Sequence, residues 1–281
     1  MASFKSKRHL EKLIYKKSNK LKRGYVSMDV QQFKSYLHEL FGPLLTAFQE
    51  DEEYGFCNFT LNHYERIAYA TNITPELIAQ AAEHNVQMLI THHDAWDFVY
   101  GMKEKCVELL NQYQIAHCYI HLPLDYVEFG TCTSLLKRLG VSKMVQYSRN
   151  MDGYSAIGIG ELETPVALEK LVGTMTDVLG EKVFFQKNSN QEIKRIGMVT
   201  GAGNGTDQLK EALDSGCDVY ITGEKTLYTV QYAKFINLNI MVGSHTFTEI
   251  FGVESLAQKL KERFDELEII QLQEEHNEVI L

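Results

Sequence analysis

From Arg66 onward, short apolar runs alternate with amphipathic helical segments, and most of the runs end in polar residues. That alternation predicts an α/β layered fold, in which ligand groups gather at the carboxyl ends of the strands. "ERIAYAT" reads as a strand; Thr74, Pro75 and Glu76 then supply an N-cap, a first helical residue and an early acid for a helix to about His84. "VQMLITHH" is a buried strand, "MKEKCVELLNQYQ" a helix, and "IAHCYIHLPLD" a second apolar strand with a polar end. "TCTSLLKRLG" is a helix closed by Gly140, and "YSAIGIGELE" a strand before a Thr164-Pro165 cap and a helix closed by Gly180. Further on, "IKRIGMVTGAGNG" runs from strand into glycine loop, "TDQLKEALDSG" and "LYTVQYAKFI" are helical, and "CDVYITGE" and "LNIMVGSH" are strands before a last helix over 246–264. Ahead of all this, Val30, Phe33, Leu37, Leu40 and Phe41 recur at helical spacing up to Gly42-Pro43. Residues 50–64 show no clear period and read as irregular or short strand.

Charge narrows the function classes. Residues 1–27 carry nine basic residues against one acid, and removing their +8 from the net −9 leaves −17 for the remainder. So acidic a body repels phosphate backbones and suits cations. Nucleic acid is therefore not expected as a partner except through residues 1–27, which read as a solvated, poorly ordered extension. Five cysteines, odd in number and without a C-x-x-C pair, point to neither a disulfide framework nor a thiolate zinc site, and predict a reducing, cytoplasmic compartment. No apolar run approaches the ~18–20 residues of a membrane span, so no membrane partner is expected.

Three polar clusters can carry chemistry. His92 and His93, adjacent at a strand end, point to opposite sides of an extended chain and can serve two ions, although a hydrogen-bonded turn produces the same dipeptide. Asp125 at the next strand end adds a hard oxygen donor. His245 and Glu249, spaced i, i+4 at a helix start, share one helix face, a spacing that also suits a plain surface hydrogen bond. Together they make a sensible donor set for two divalent ions about 3.5–4 Å apart. His121 is read as a group orienting the Asp125 carboxylate, with a sixth ligand as the alternative, and His117 as a core or surface histidine. Glu224, in "TGE", is a candidate general base or a helix cap. The glycines of "TGAGNG" depart from G-x-G-x-x-G and are read first as a tight turn. No G-x-S-x-G is present.

Taken in order, "ITHHDAWDF", "IHLPLD", "TGAGNG", "DVYITGE" and "GSHTFTEIFGVESLAQKL" resemble the GTP cyclohydrolase type 2 homologue family, the Nif-three-like dinuclear metal centre proteins. The resemblance implies that His92, His93, Asp125, His245 and Glu249 are metal ligands, with Glu249 bridging two ions. It implies two intertwined, closely joined α/β lobes (about 28–128 plus 244–281, and about 129–243) with the metal site in the cleft between them, and ring-like hexamers. Asp94, Leu122 and Tyr228 stand where the family usually has proline, threonine and histidine, and the family's early D-N-x-G-L motif is not recognisable. The expectation is a metal-dependent hydrolase holding two divalent cations (zinc, manganese, iron or nickel) and acting on a nucleotide or other small phosphorylated or cyclic substrate. The alternative is a non-catalytic metal-binding or metal-delivery scaffold with protein partners.

Overall fold

The computed structural model describes residues 27–49, 52–151 and 154–278. Of the basic extension expected over 1–27, all but the last residue lies outside the described residues. Two main sheets dominate the α/β architecture. The first has the strand order Glu268–Gln271, Arg66–Ala70, Met88–Thr91, Ala116–Ile120 and Tyr54–Cys57, parallel except for the last pair. The second runs Phe184–Gln186, Asn239–Val242, Val219–Thr222, Ile193–Val199, Gly158–Val166 and Val141–Gln146, with a parallel centre of three strands and antiparallel edges. The chain builds the first sheet, leaves to build the second, and returns to add the first sheet's edge strand.

The central strands are continuous apolar runs because both of their faces are covered. Met88–Thr91, Val219–Thr222 and Asn239–Val242 are buried at every residue. The helix His245–Arg263 joins the two cores. Ile250, Val253, Leu256, Ala257 and Leu260 pack into the core of the first sheet, while Phe247 and Phe251 lie against that of the second. The Ser244 hydroxyl caps this helix by accepting from Phe247 N at 3.1 Å. At the start of the described chain, Asp29 caps Val30–Phe41 through Gln31 N and Gln32 N, and Gly42 ends it at φ +49°.

Two local expectations are corrected. The strand carrying "IAHCYIHLPLD" stops at Ile120, and Leu122–Asp125 forms a short helical turn with Pro123 in its first positions, where the ring's fixed φ suits a helix start. Asp125 therefore leaves a turn rather than a strand end. Thr164 and Pro165 do not cap a helix: the strand runs through them to Val166 with a register shift, and the helix begins at Leu168, ending as expected at Gly180. Residues 54–57 and 63–64 are short strands.

Gly252 marks the closest approach of the long helix to Thr131–Arg138, since a Cβ there meets Thr131 N and Cα at 2.8 Å. Glycine to alanine in a free helix stabilises by about 1 kcal/mol. Here the steric clash reverses the sign: Gly252→Ala is expected to destabilise by about 1–3 kcal/mol, read as a lower Tm.

Candidate metal centre

The carboxyl ends of strands from both sheets deliver the polar groups to one place. Just past Met88–Thr91, the backbone N–H groups of His92 and His93 both donate to Thr71 O, at 3.0 and 2.9 Å. His92 Nδ1 donates to Ile120 O at 2.9 Å, His93 Nδ1 lies 2.8 Å from Asn72 Oδ1, and His245 Nδ1 donates to Glu224 Oε1 at 2.7 Å. With the outer nitrogen of each ring tied, the three Nε2 atoms turn inward on Glu249. Its Oε1 is 3.6 Å from His92 Nε2, and its Oε2 is 3.4 Å from His93 Nε2 and 3.3 Å from His245 Nε2. Asp125 Oδ1 stands 3.5 Å from His92 Nε2 and accepts from Thr131 Oγ1 at 2.6 Å, which in turn accepts from Thr200 Oγ1 at 2.8 Å.

These donors fall into three groups whose ligand atoms lie within 4.8 Å of one another: His92, His93 and His121; His93, His245 and Glu249; and His92, Asp125 and Glu249. Such groups can hold metal ions. The site passes a test of fit that does not depend on its donor count. His92 Nε2 and Glu249 Oε2 are buried with no hydrogen-bond partner. Leaving such atoms without a hydrogen bond costs about 1–3 kcal/mol each; the ion pairs at 3.3–3.6 Å offset part of that, and a cation held among these donors would satisfy both. Gly201 completes the cradle: at φ +62°, its missing Cβ would sit 2.0 Å from Glu249 Oε1.

The same charges set the protonation of the metal-free cluster. Burial pushes His92 down, but the Asp125 and Glu249 carboxylates outweigh it and raise it to about 9. His245 is likewise lowered by burial but lifted to about 10 by Glu249 and Glu224. Burial holds His93 well below the usual imidazole range, Glu249 opposing and the neighbouring histidines adding to the effect. Burial raises Asp125; it also acts upward on Glu249, where the surrounding imidazoles prevail and hold the carboxyl well below its ordinary value.

The match to known proteins follows this geometry. The family model Duf34/NIF3 (NGG1p interacting factor 3) matches residues 28–278. The chain belongs to this family. A GTP cyclohydrolase 1 type 2 homolog from Pyrococcus abyssi is 28% identical over 243 residues, covering 84% of this chain and 95% of that protein. Protein ybgI superposes with a TM-score of 0.76 at 22% identity over 89% of this chain and 99% of its own. TTHA1606 from Thermus thermophilus gives 0.73 at 23% identity over 89% and 100%. Both structures show this NIF3 family member's fold.

The structure brings all five expected metal donors together and places the other candidates around them. His121 joins a donor group with His92 and His93 and pairs through Nδ1 with Glu53, rather than hydrogen-bonding Asp125; Thr131 holds that carboxylate. His117 is a core histidine bonded through Nε2 to Thr91 Oγ1 at 2.7 Å. Glu224 binds the outer nitrogen of His245 and accepts from Asn204 Nδ2 at 3.1 Å. The glycine loop is a turn packed on Glu249. Glu53, Asn72, Thr131 and Trp96, whose ring lies 5.1 Å from His93, were not singled out from sequence, because no local spacing ties them to the donors. A cleft of about 730 Å³ opens beside the cluster, lined by Asn72, Asp94, Trp96, Glu224 and His245 among others; no lysine or arginine is among the described lining residues.

Two outcomes are expected. Gly201→Ala should fold yet lose metal, measured as moles bound per chain. The raised His92 and His245 stabilise the metal-free protein fully below their unfolded value of about 6.5, and that stabilisation fades as pH rises through about 9 and 10. Metal must displace those protons, so the rise in Tm on adding zinc should grow between about pH 6.5 and 9.

Proposed function

We propose that this chain binds two divalent cations, zinc, manganese, iron or nickel, through His92, His93, Asp125, His245 and Glu249. In this reading it hydrolyses a nucleotide or another small phosphorylated or cyclic substrate. The observation that carries it is the pair of buried unpartnered atoms, His92 Nε2 and Glu249 Oε2, inside overlapping donor groups. Glu249, whose Oε1 faces His92 while its Oε2 faces His93 and His245, is assigned the bridging position. The name GTP cyclohydrolase 1 type 2 homolog, carried by curated relatives, supports a nucleotide substrate.

Two bound cations would supply Lewis acidity and would lower the pKa of bound water to about 7. The chain's own part is positioning. Ile120 O, Asn72 and Glu224 orient the three imidazoles, and Thr131 holds Asp125. Trp96, 39% exposed beside His93, offers a flat face to a substrate ring. In this reading Glu224, on the cleft wall, serves as the general base for water at the cations. The division into lobes of about 28–128 plus 244–281 and about 129–243, and assembly as a homohexamer, belong to the same reading; the two sheets with separate cores support the division.

Elemental analysis of untagged protein prepared without chelators should give close to two transition-metal ions per chain. Essentially none, even after incubation with zinc and manganese, overturns the reading. Glu249→Ala is expected to abolish both metal retention and turnover across a nucleotide and phosphoester panel.

The second reading, a metal-binding or delivery scaffold without catalysis, is favoured by Asp94, Leu122 and Tyr228, which depart from the family's usual residues. Asp94 pairs with Lys103 at 3.2 Å in the cleft wall, and Tyr228 is 71% exposed. It predicts exchangeable metal with no turnover.

A further inference from the structure

Residues 273–278 follow the last strand of the first sheet and run back across the metal centre. Three of their side chains tie down the elements that carry its donors. Glu278 accepts from His245 N at 2.7 Å and Thr246 N at 3.1 Å, the first free amides of the long helix. His276 stacks on Phe247 with ring centroids 3.9 Å apart and pairs through Nδ1 with Glu181, which also accepts from Ser244 N at 2.7 Å. Glu274 reaches the other side of the site. Its Oε2 accepts from Thr71 N at 2.7 Å, and its Oε1 accepts from both Asn72 N and Asn72 Nδ2 at 2.9 Å.

We propose that Glu274 is a positioning residue that fixes the tautomer of His93 through Asn72. The argument concerns which atoms can donate. Carboxylate oxygens accept, so the Asn72 amide must turn its NH2 toward Glu274; the same nitrogen lies 3.0 Å from Thr246 Oγ1. That orientation aims Asn72 Oδ1 at His93 Nδ1, 2.8 Å away. An amide oxygen only accepts, so His93 must carry its hydrogen on Nδ1. The Nε2 lone pair then faces Glu249 Oε2 at 3.4 Å, an arrangement that suits a cation between them. A carboxylate 181 positions after His93 in the chain thereby selects the nitrogen His93 offers to metal, in the way hydrogen bonds to ligating imidazoles generally set tautomer and basicity. The inference rests on the reading of His93 as a metal donor, but the tautomer can be measured without metal.

The test is a two-bond proton–nitrogen correlation spectrum of metal-free protein at pH 7.5, with the His93 ring assigned, alongside zinc affinity from competition with a chromophoric chelator. Wild-type His93 should appear as the single Nδ1–H tautomer. Glu274→Gln introduces an amide that can donate to Asn72 Oδ1 and let it invert, so a mixture of tautomers and a zinc affinity about 10–100-fold weaker are expected. Asn72→Ala keeps the backbone bonds to Glu274, so the segment stays docked, and should give the same two changes. Glu266→Gln, an equal change of charge at an exposed position away from the site, should give neither. The proposal is overturned if wild-type His93 carries its hydrogen on Nε2, or if Glu274→Gln keeps the single tautomer and wild-type zinc affinity. Wild-type protein that takes up no zinc would overturn the metal reading instead, and the tautomer measurement would still decide the role of Glu274.

Discussion

Glu249 is 3% exposed and has the Nε2 atoms of three histidines within 3.6 Å. Water cannot carry its charge, so that charge must be met by the imidazoles or by a cation held among them. A carboxylate in such a place is stabilising only while its partners stay in register, because removing one leaves an uncompensated buried charge. The demand for register explains why so much of the surrounding structure is devoted to fixing side chains rather than to touching a substrate.

The fold meets that demand from two directions. His92 and His93 leave a strand buried on both faces, whose backbone has no freedom to shift without disturbing the core of the first sheet. His245 and Glu249 come from a helix that is packed against both cores, so a rigid body spans the gap between the sheets. Gly201 and Gly252 let backbone approach where any side chain would intrude, one against Glu249 and the other against Thr131. Thr131 also holds Asp125, which links the packing of the helices to the orientation of a donor.

What could be read in advance follows the range of the interactions. The paired histidines at a strand end and the i, i+4 pair at a helix start are visible because period and capping are local properties of the chain. Asp125 was visible as a donor but not in its true setting, since Pro123 turns the segment helical after Ile120. Likewise Thr164-Pro165 carries the letters of a cap but lies inside a strand, in the irregular stretch between the pairs Glu161–Arg195 and Val166–Ile193. Asn72 and Glu53 escaped notice because their partners, His93 and His121, lie 21 and 68 positions away with no periodic relation to them.

The sequence by itself determined the α/β alternation, the ends of most helices and the identities of the donors, because apolar period, caps and glycine ends act over a few residues. Only the tertiary structure decided which nitrogen each imidazole turns inward, which carboxylate is buried between them, and that Glu224 binds the outer edge of His245. Those outcomes depend on hydrogen bonds between groups as far apart as Thr71 and Glu274, separated by 203 positions. Contacts at that range have no local signature, and they exist only once two packed cores have fixed the backbone on either side of the site.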